Sequence, residues 1–252
     1  MPPVRTRALV VRTVDVLETS RVLTLFSRDL GKVVALAKGA RRLKSPFQSS
    51  LDLLSVCDIV VLRKDGASDS LDLLTEAVLI ERYDSLRRDL RSHYAGQYVA
   101  ELLDALTDPH DPHPKLFDAA VITLRHLDEP FLRPRRVMRF ELACLRELGL
   151  MPALEDCVHC GANVNVSVEN DRVAFGLATG GVLCAACRPG QPHVATLSGQ
   201  TLDVLRRHAS PGNSWRDANL DPRALAATRG TLGAILGHLM GRRPRLWPYL
   251  GT

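Results

Sequence analysis

Four of the six cysteines stand in two pairs, Cys157-Val-His-Cys160 and Cys184-Ala-Ala-Cys187, with 23 residues between the pairs. Two residues between thiolates let one tight knuckle aim both sulfurs at a single point. A second knuckle completes the tetrahedral thiolate set that Zn(II) takes in structural sites. Three chemistries fit such cysteines: a four-thiolate zinc site, two disulfides, or a redox-active CxxC. Nothing in the chain suggests secretion, which speaks against disulfides. Redox CxxC motifs lie at strand-to-helix junctions and do not come in facing pairs. Zinc held by Cys157, Cys160, Cys184 and Cys187 is therefore the expectation. With four protein sulfurs no coordination position stays open, so the role is structural. His159 lies inside the first knuckle and is the rival ligand. Cys57, in a strand, and Cys144, on a helix stripe, read as small buried hydrophobes.

The second chemical signal is the stretch LAKGARRLKSPFQS, residues 36–49, with Lys38, Arg41, Arg42 and Lys44 and no acid. Residues 1–50 carry ten Lys/Arg, Arg12 and Lys32 among them, against three acids. A local excess of cations after a strand points to a polyanion partner. A solvated Arg-rich surface is the plain alternative. Enzyme signatures are missing. There is no GxxxxGK[ST], HExxH or GxSxG, no HxE beside the CxxC pairs, and GLATGG is not GxGxxG.

These residues need elements to hold them. Residues 4–16, 21–27, 31–37, 54–64 and 70–82 read as five strands rich in Val, Leu, Ile and Thr. SRDLGK is a hairpin signal between the second and third, and KDGASDS separates the fourth from the fifth. SPFQSSLDLL could form a short helix capped by Ser45. Five strands in so short a segment suggest a small closed barrel of the OB type. The pattern then becomes helical. Residues 86–107 read as one helix, DPHDPHP as a linker, and residues 114–129 as a second helix. In residues 134–148, Val137, Phe140, Glu141, Cys144, Leu145 and Leu148 form a core stripe and Gly149 ends the helix. Arg135, Arg139 and Arg146 fall opposite, on an expected solvated face that could extend a DNA surface. Residues 163–181 read as a β-hairpin turning at Glu169–Asp171. LSGQTLDVLRRH, with a Ser cap, and residues 221–241 are further helices. The fold class is α+β. An OB-fold barrel occupies 1–80 and a helical domain 81–252, interrupted by a zinc-binding module at 154–192.

Taken together, FSRDLGKVVALAKGARRLKSPFQSSLDLL, LRELGLMPALEDCVHCG and FGLATGGVLCAAC resemble the RecO family of bacterial recombination mediator proteins over essentially the whole chain. The resemblance implies a DNA repair protein without nucleotide hydrolysis. Such a protein binds single- and double-stranded DNA and anneals complementary strands. It acts with RecR to load RecA on gaps coated with single-stranded DNA-binding protein. It also maps the family's zinc cysteines onto Cys157, Cys160, Cys184 and Cys187. The DNA contacts expected here are Lys38, Arg41, Arg42 and Lys44 in a mobile basic loop, with Arg12, Lys32, Arg135 and Arg139. Phe26 and Phe47 are the N-terminal aromatics to consider for stacking, Phe26 reading as core. A protein-binding adaptor without direct DNA contact, and a metal-dependent nucleic-acid enzyme, are the alternatives. Hydrophobic residues at 46% allow a buried core. No run approaches the roughly 20 apolar residues of a membrane span, and no signal peptide is legible. A cytoplasmic, nucleoid-associated protein without a membrane partner is expected.

Overall fold

The computed structural model describes residues 3–16, 18–42, 44–47, 50–63, 71–168, 171–217 and 220–251. The chain divides into two compact units, Met1–Pro130 and Phe131–Thr252.

The first unit holds five strands: β1 (Pro3–Val16), β2 (Ser20–Ser27), β3 (Gly31–Ala37), β4 (Val56–Leu62) and β5 (Asp72–Glu81). They close into a barrel in the order β1-β2-β3-β5-β4, with β3 and β5 parallel and the other pairs antiparallel. This is the expected OB-like topology. Alternation along the strands sends Ala8, Val10, Leu23, Leu25, Val33, Ala35, Ile59, Val61 and Leu74 into one core. The KDGASDS separator lies outside the described residues. In SPFQSSLDLL residues 48 and 49 lie outside the described residues, and the described ones form turns and bends rather than a helix, with Ser45 Oγ accepting from the Phe47 N–H. Phe47 and Leu51 point into the barrel core. A regular helix is given up for that burial, and Leu54 takes a positive φ of 67°.

Three helices complete this unit: α1 (Asp84–Arg88), α2 (Leu90–Leu106) and α3 (Pro114–Arg125). The single helix expected over 86–107 is broken at Asp89, whose extended backbone and side chain cap the Ser92 N–H. Phe26 lies on the barrel exterior but stacks on Phe117 of α3, with ring centroids 6.4 Å apart. Neither Phe26 nor Phe47 is open for stacking on a base. DPHDPHP is not a loose linker. Pro109 bridges Lys32, and the His110 N–H donates to the Lys32 carbonyl. A Cβ at Gly31 would lie 2.3 Å from the Asp111 carbonyl oxygen, so only glycine admits this approach.

The second unit contains α4 (Arg133–Glu147), β6 (Arg172–Gly176), β7 (Gly181–Leu183), β8 (Val194–Ser198), α5 (Gly199–Ala209) and α6 (Pro222–Leu239). The strands form a sheet in the order β7-β6-β8. The hairpin is β6–β7 and turns at residues 177–180, where Gly180 has φ +73°. Residues 163–168 form no strand, only an isolated bridge from Asn163 to Asp156. Of the expected turn at Glu169–Asp171, residues 169 and 170 lie outside the described residues. Helix α4 ends as expected. Leu150 N–H reaches the Leu145 carbonyl and Gly149 N–H the Arg146 carbonyl, a Schellman closure with Gly149 at φ +71°. Ser198 caps α5 through the Thr201 N–H. The arginine face of α4 is not simply solvated. Arg135 is buried and donates to the carbonyls of Arg216 and Asp217. Arg139 donates to the carbonyls of His208 and Ser210, and Arg146 to that of Ala209. The last two thus satisfy the carbonyl end of α5, where a positive charge meets the negative pole of the helix. Among the described residues no helix is long and apolar enough to cross a membrane.

Candidate functional site

Both cysteine knuckles hang on β7. The Val182 N–H donates to the Ala153 carbonyl and the Val158 N–H to the Val182 carbonyl, which lays the first knuckle along that strand. The second begins at Cys184, directly after β7 ends. Each knuckle closes on itself. The Gly161 N–H returns to the Cys157 carbonyl, and the N–H groups of Cys187 and Arg188 return to the Cys184 carbonyl. Gly161, at φ +71°, permits the first of these turns.

The four sulfurs lie within 4.8 Å of one another, and Cys160 Sγ is 3.8 Å from Cys184 Sγ. A tetrahedron with metal–sulfur bonds of about 2.3 Å has edges of about 3.8 Å, so the set could hold a metal ion. The backbone N–H of Cys184, joined by that of Cys160, draws the Cys157 thiol down to about 6. Hydrogen bonding with Cys184 and Cys160 pushes the Cys187 thiol up to about 12. Leu183, Ala174, Val164 and Val194 pack around the cluster. His159 turns away, with Nε2 2.8 Å from the Gln191 side-chain nitrogen, and is no member of the sulfur set. That link between the first knuckle and the segment after the second had no signature in the sequence. Cys57 and Cys144 are buried elsewhere, and burial raises both thiols, Cys57 to about 12.

The basic residues of the barrel sort into two kinds. Some are engaged. Lys32 Nζ donates to the Asp104 carbonyl, Arg28 pairs with Asp118 at 3.1 Å, and Arg7 with Asp58 at 2.8 Å. Asp15 holds Arg21 at 2.8 Å and Arg41 at 3.4 Å. Arg12, Lys38, Arg42 and Lys44 are exposed and have no acidic partner among the described residues. The described residues of the loop after β3 form hydrogen-bonded turns. The Arg41 N–H donates to the Thr19 carbonyl, and the Ser45 N–H to that of Arg42. Gly39, at φ +71°, lets the Arg42 side chain fold back to within 3.4 Å of where a Cβ would stand. Of the eight basic positions expected at a DNA surface, these four are both exposed and unpaired. Lys32 and Arg41 have acidic neighbours, and Arg135 and Arg139 bind backbone carbonyls.

In the second unit a cleft of about 470 Å³ is walled by Phe131, Pro134, Met138, Leu220 and Leu225, with Arg135, Arg223 and Arg229 also lining it. The Arg135 guanidinium lies 4.5 Å from the centre of the exposed Phe131 ring.

Residues 1–83 match the family model described as recombination protein O N terminal, and residues 87–248 the one described as recombination protein O C terminal. The chain is 41% identical to "DNA repair protein RecO" of Rhodopirellula baltica, over 96% of this chain and 97% of that one. It is 37% identical to the protein of that name in Anaeromyxobacter sp. (strain K), covering 96% and 94%. Against that of Myxococcus xanthus the identity is 30%, covering 94% and 92%.

Proposed function

The chain belongs to the recombination protein O family, and from that premise we propose that it is a cytoplasmic, nucleoid-associated DNA repair mediator. In this reading it binds single- and double-stranded DNA, anneals complementary strands, and acts with RecR to load RecA on gaps coated by single-stranded DNA-binding protein. The observation that carries the DNA contact is the set of unpaired cations Arg12, Lys38, Arg42 and Lys44 on an OB-like barrel. Phosphates are the natural partners of such cations. Two strands repel through their phosphates. A protein that neutralises both raises their local concentration, and base pairing supplies the driving force, so no nucleotide need be hydrolysed. Zinc, held by the four thiolates, would cross-link the two knuckles and stabilise the module without a reactive open position. The apolar cleft lined by Arg135, Arg223 and Arg229 supports an acidic partner.

The test is fluorescence anisotropy of a labelled single strand across a salt series, followed by addition of its complement. Four phosphate contacts give a slope of about −3 in log K against log salt, and annealing should accelerate without ATP. Absence of binding at low salt removes this reading and leaves a protein-binding adaptor.

A further inference from the structure

The outer face of the barrel is not uniformly polar where the helices leave it open. Leu23 and Ala35 point into the core, so their neighbours Val22 and Leu36 point out. Strand register sets Val14 opposite Val22, Val22 opposite Leu36, and Leu36 opposite Leu73. One aliphatic row therefore crosses β1, β2, β3 and β5, roughly 14 Å at the usual strand spacing. The adjacent outward row is Arg12, Thr24 and Val34. Val14 is 41% and Val34 36% exposed. Elsewhere on the same outer surface Leu9, Phe26 and Lys32 are covered or engaged, as Phe26 is by Phe117. The open remainder is bracketed by cations, Arg12 on β1 and Lys38, which continues the outward parity of Val34 and Leu36 on β3. An uncovered sheet face ordinarily carries polar side chains. This one carries a strip of valine and leucine, Val14 exposed and Val22, Leu36 and Leu73 half-buried, between two cations with no acidic partner among the described residues.

We propose that this strip is the base-contacting ledge of the DNA site. The bases of a single strand lie against Val14, Val22, Leu36 and Leu73, while Arg12 and Lys38 hold flanking phosphates. The proposal rests on the DNA-binding reading above and deepens it. Charge complementarity selects a polyanion, and the aliphatic strip selects one with exposed apolar rings. In a duplex the base faces are stacked on one another, so the ledge favours single strands. Valine and leucine offer neither hydrogen bonds nor stacking, so the ledge discriminates poorly among bases and holds each weakly, which suits a strand that must be passed to its complement.

The experiment compares a fluorescent single strand, an abasic strand of equal length and a duplex at one salt concentration. For Val14→Ser/Leu36→Ser, affinity for the single strand should fall about tenfold with the salt slope unchanged, while duplex and abasic affinities stay put. Val34→Tyr, which supplies a ring at the edge of the ledge, should tighten the single strand severalfold; this gain cannot arise from misfolding. Equal loss on all three probes overturns the ledge. So does unchanged single-strand affinity in the double variant while Arg12→Ala/Lys38→Ala weakens binding; the DNA reading then survives alone. Retained DNA affinity with loss of a co-eluting partner protein would also overturn it, making the strip a protein-docking surface. Failure of the unmodified chain to bind any strand at low salt is the failure of the underlying reading.

Discussion

Six thiols in one chain meet two kinds of surroundings, and the difference decides their chemistry. Cys57 donates to the Ser50 carbonyl in the barrel core, and Cys144 lies in the buried face of α4. Both are held as neutral thiols because burial penalises the thiolate. The other four share one small volume in which Cys160 is exposed and Cys184 and Cys187 are partly so. Reactivity follows the thiolate and its access. In the folded chain at pH 8, iodoacetamide after chelation should therefore modify exposed Cys160 and partly exposed Cys184 first, and buried Cys157 and the raised Cys187 thiol more slowly. Cys57 and Cys144 should react only once the chain is unfolded in guanidinium. Peptide mapping by mass spectrometry reads this directly, and modification of Cys57 in the folded chain would contradict the burial argument. The sequence announced the four-sulfur set because CxxC spacing is local. It could not announce that His159 turns to Gln191, since that contact is made across 32 residues.

At the scale of elements, α5 is the piece on which the second unit turns. Its carbonyl end accepts from Arg139 and Arg146, and its last turn buries His208, whose Nδ1 donates to the Val204 carbonyl at 2.8 Å. Desolvation, with Arg135 and Arg139 nearby, lowers the His208 pKa to about 4. The unfolded chain, titrating near 6.5, binds more protons than the folded one between these values. Stability is therefore fully present above about pH 6.5 and falls as pH drops toward 4, by about 3 kcal/mol at most. Chemical denaturation followed by the fluorescence of Trp215, which packs on His208, should show this slope, and His208→Gln should flatten it. An unchanged slope in the variant would assign the acid sensitivity to carboxylates instead. The strands of the barrel were legible because a period of two survives in the sequence. So was the end of α4, because Gly149 has few other uses. The arginines of α4 were misread because periodicity on one helix shows only which side faces the nearest core. That α5 closes over part of the opposite side is a fact about residues some 70 positions away. The hairpin was displaced for a similar reason. NVNVSV alternates like a strand, but β6 takes its partners from β7 and β8, and the glycines at 180 and 181 set the turn.

For the molecule as a whole, net charge is a poor guide to where a polyanion binds. The ten cations of residues 1–50 suggest a basic first module, yet Met1–Pro130 holds 18 Lys/Arg against 19 Asp/Glu, a net of −1. Phe131–Thr252 holds 15 against 9, a net of +6. Asp58, Asp118, Asp104 and Asp15 pair with Arg7, Arg28, Lys32 and Arg21, consuming much of the early charge within its own unit. At physiological salt the screening length is about 8 Å. The arrangement of Arg12, Lys38, Arg42 and Lys44 therefore matters more than either total, whereas the +6 unit offers diffuse attraction to any nucleic acid. The two contributions separate in one variant. Replacing Arg12, Lys38, Arg42 and Lys44 with Ala should leave weak binding at low salt, because the +6 unit is untouched. The preference for single strand over duplex should persist at reduced affinity, because the aliphatic ledge that reads an open strand is intact. The salt slope for the single strand should flatten by about 3. Competition between labelled single strand and unlabelled duplex gives the ratio without absolute affinities. If single-strand affinity and its salt slope are unchanged in this variant, the phosphate contacts lie in Phe131–Thr252 and the barrel cations are surface charge.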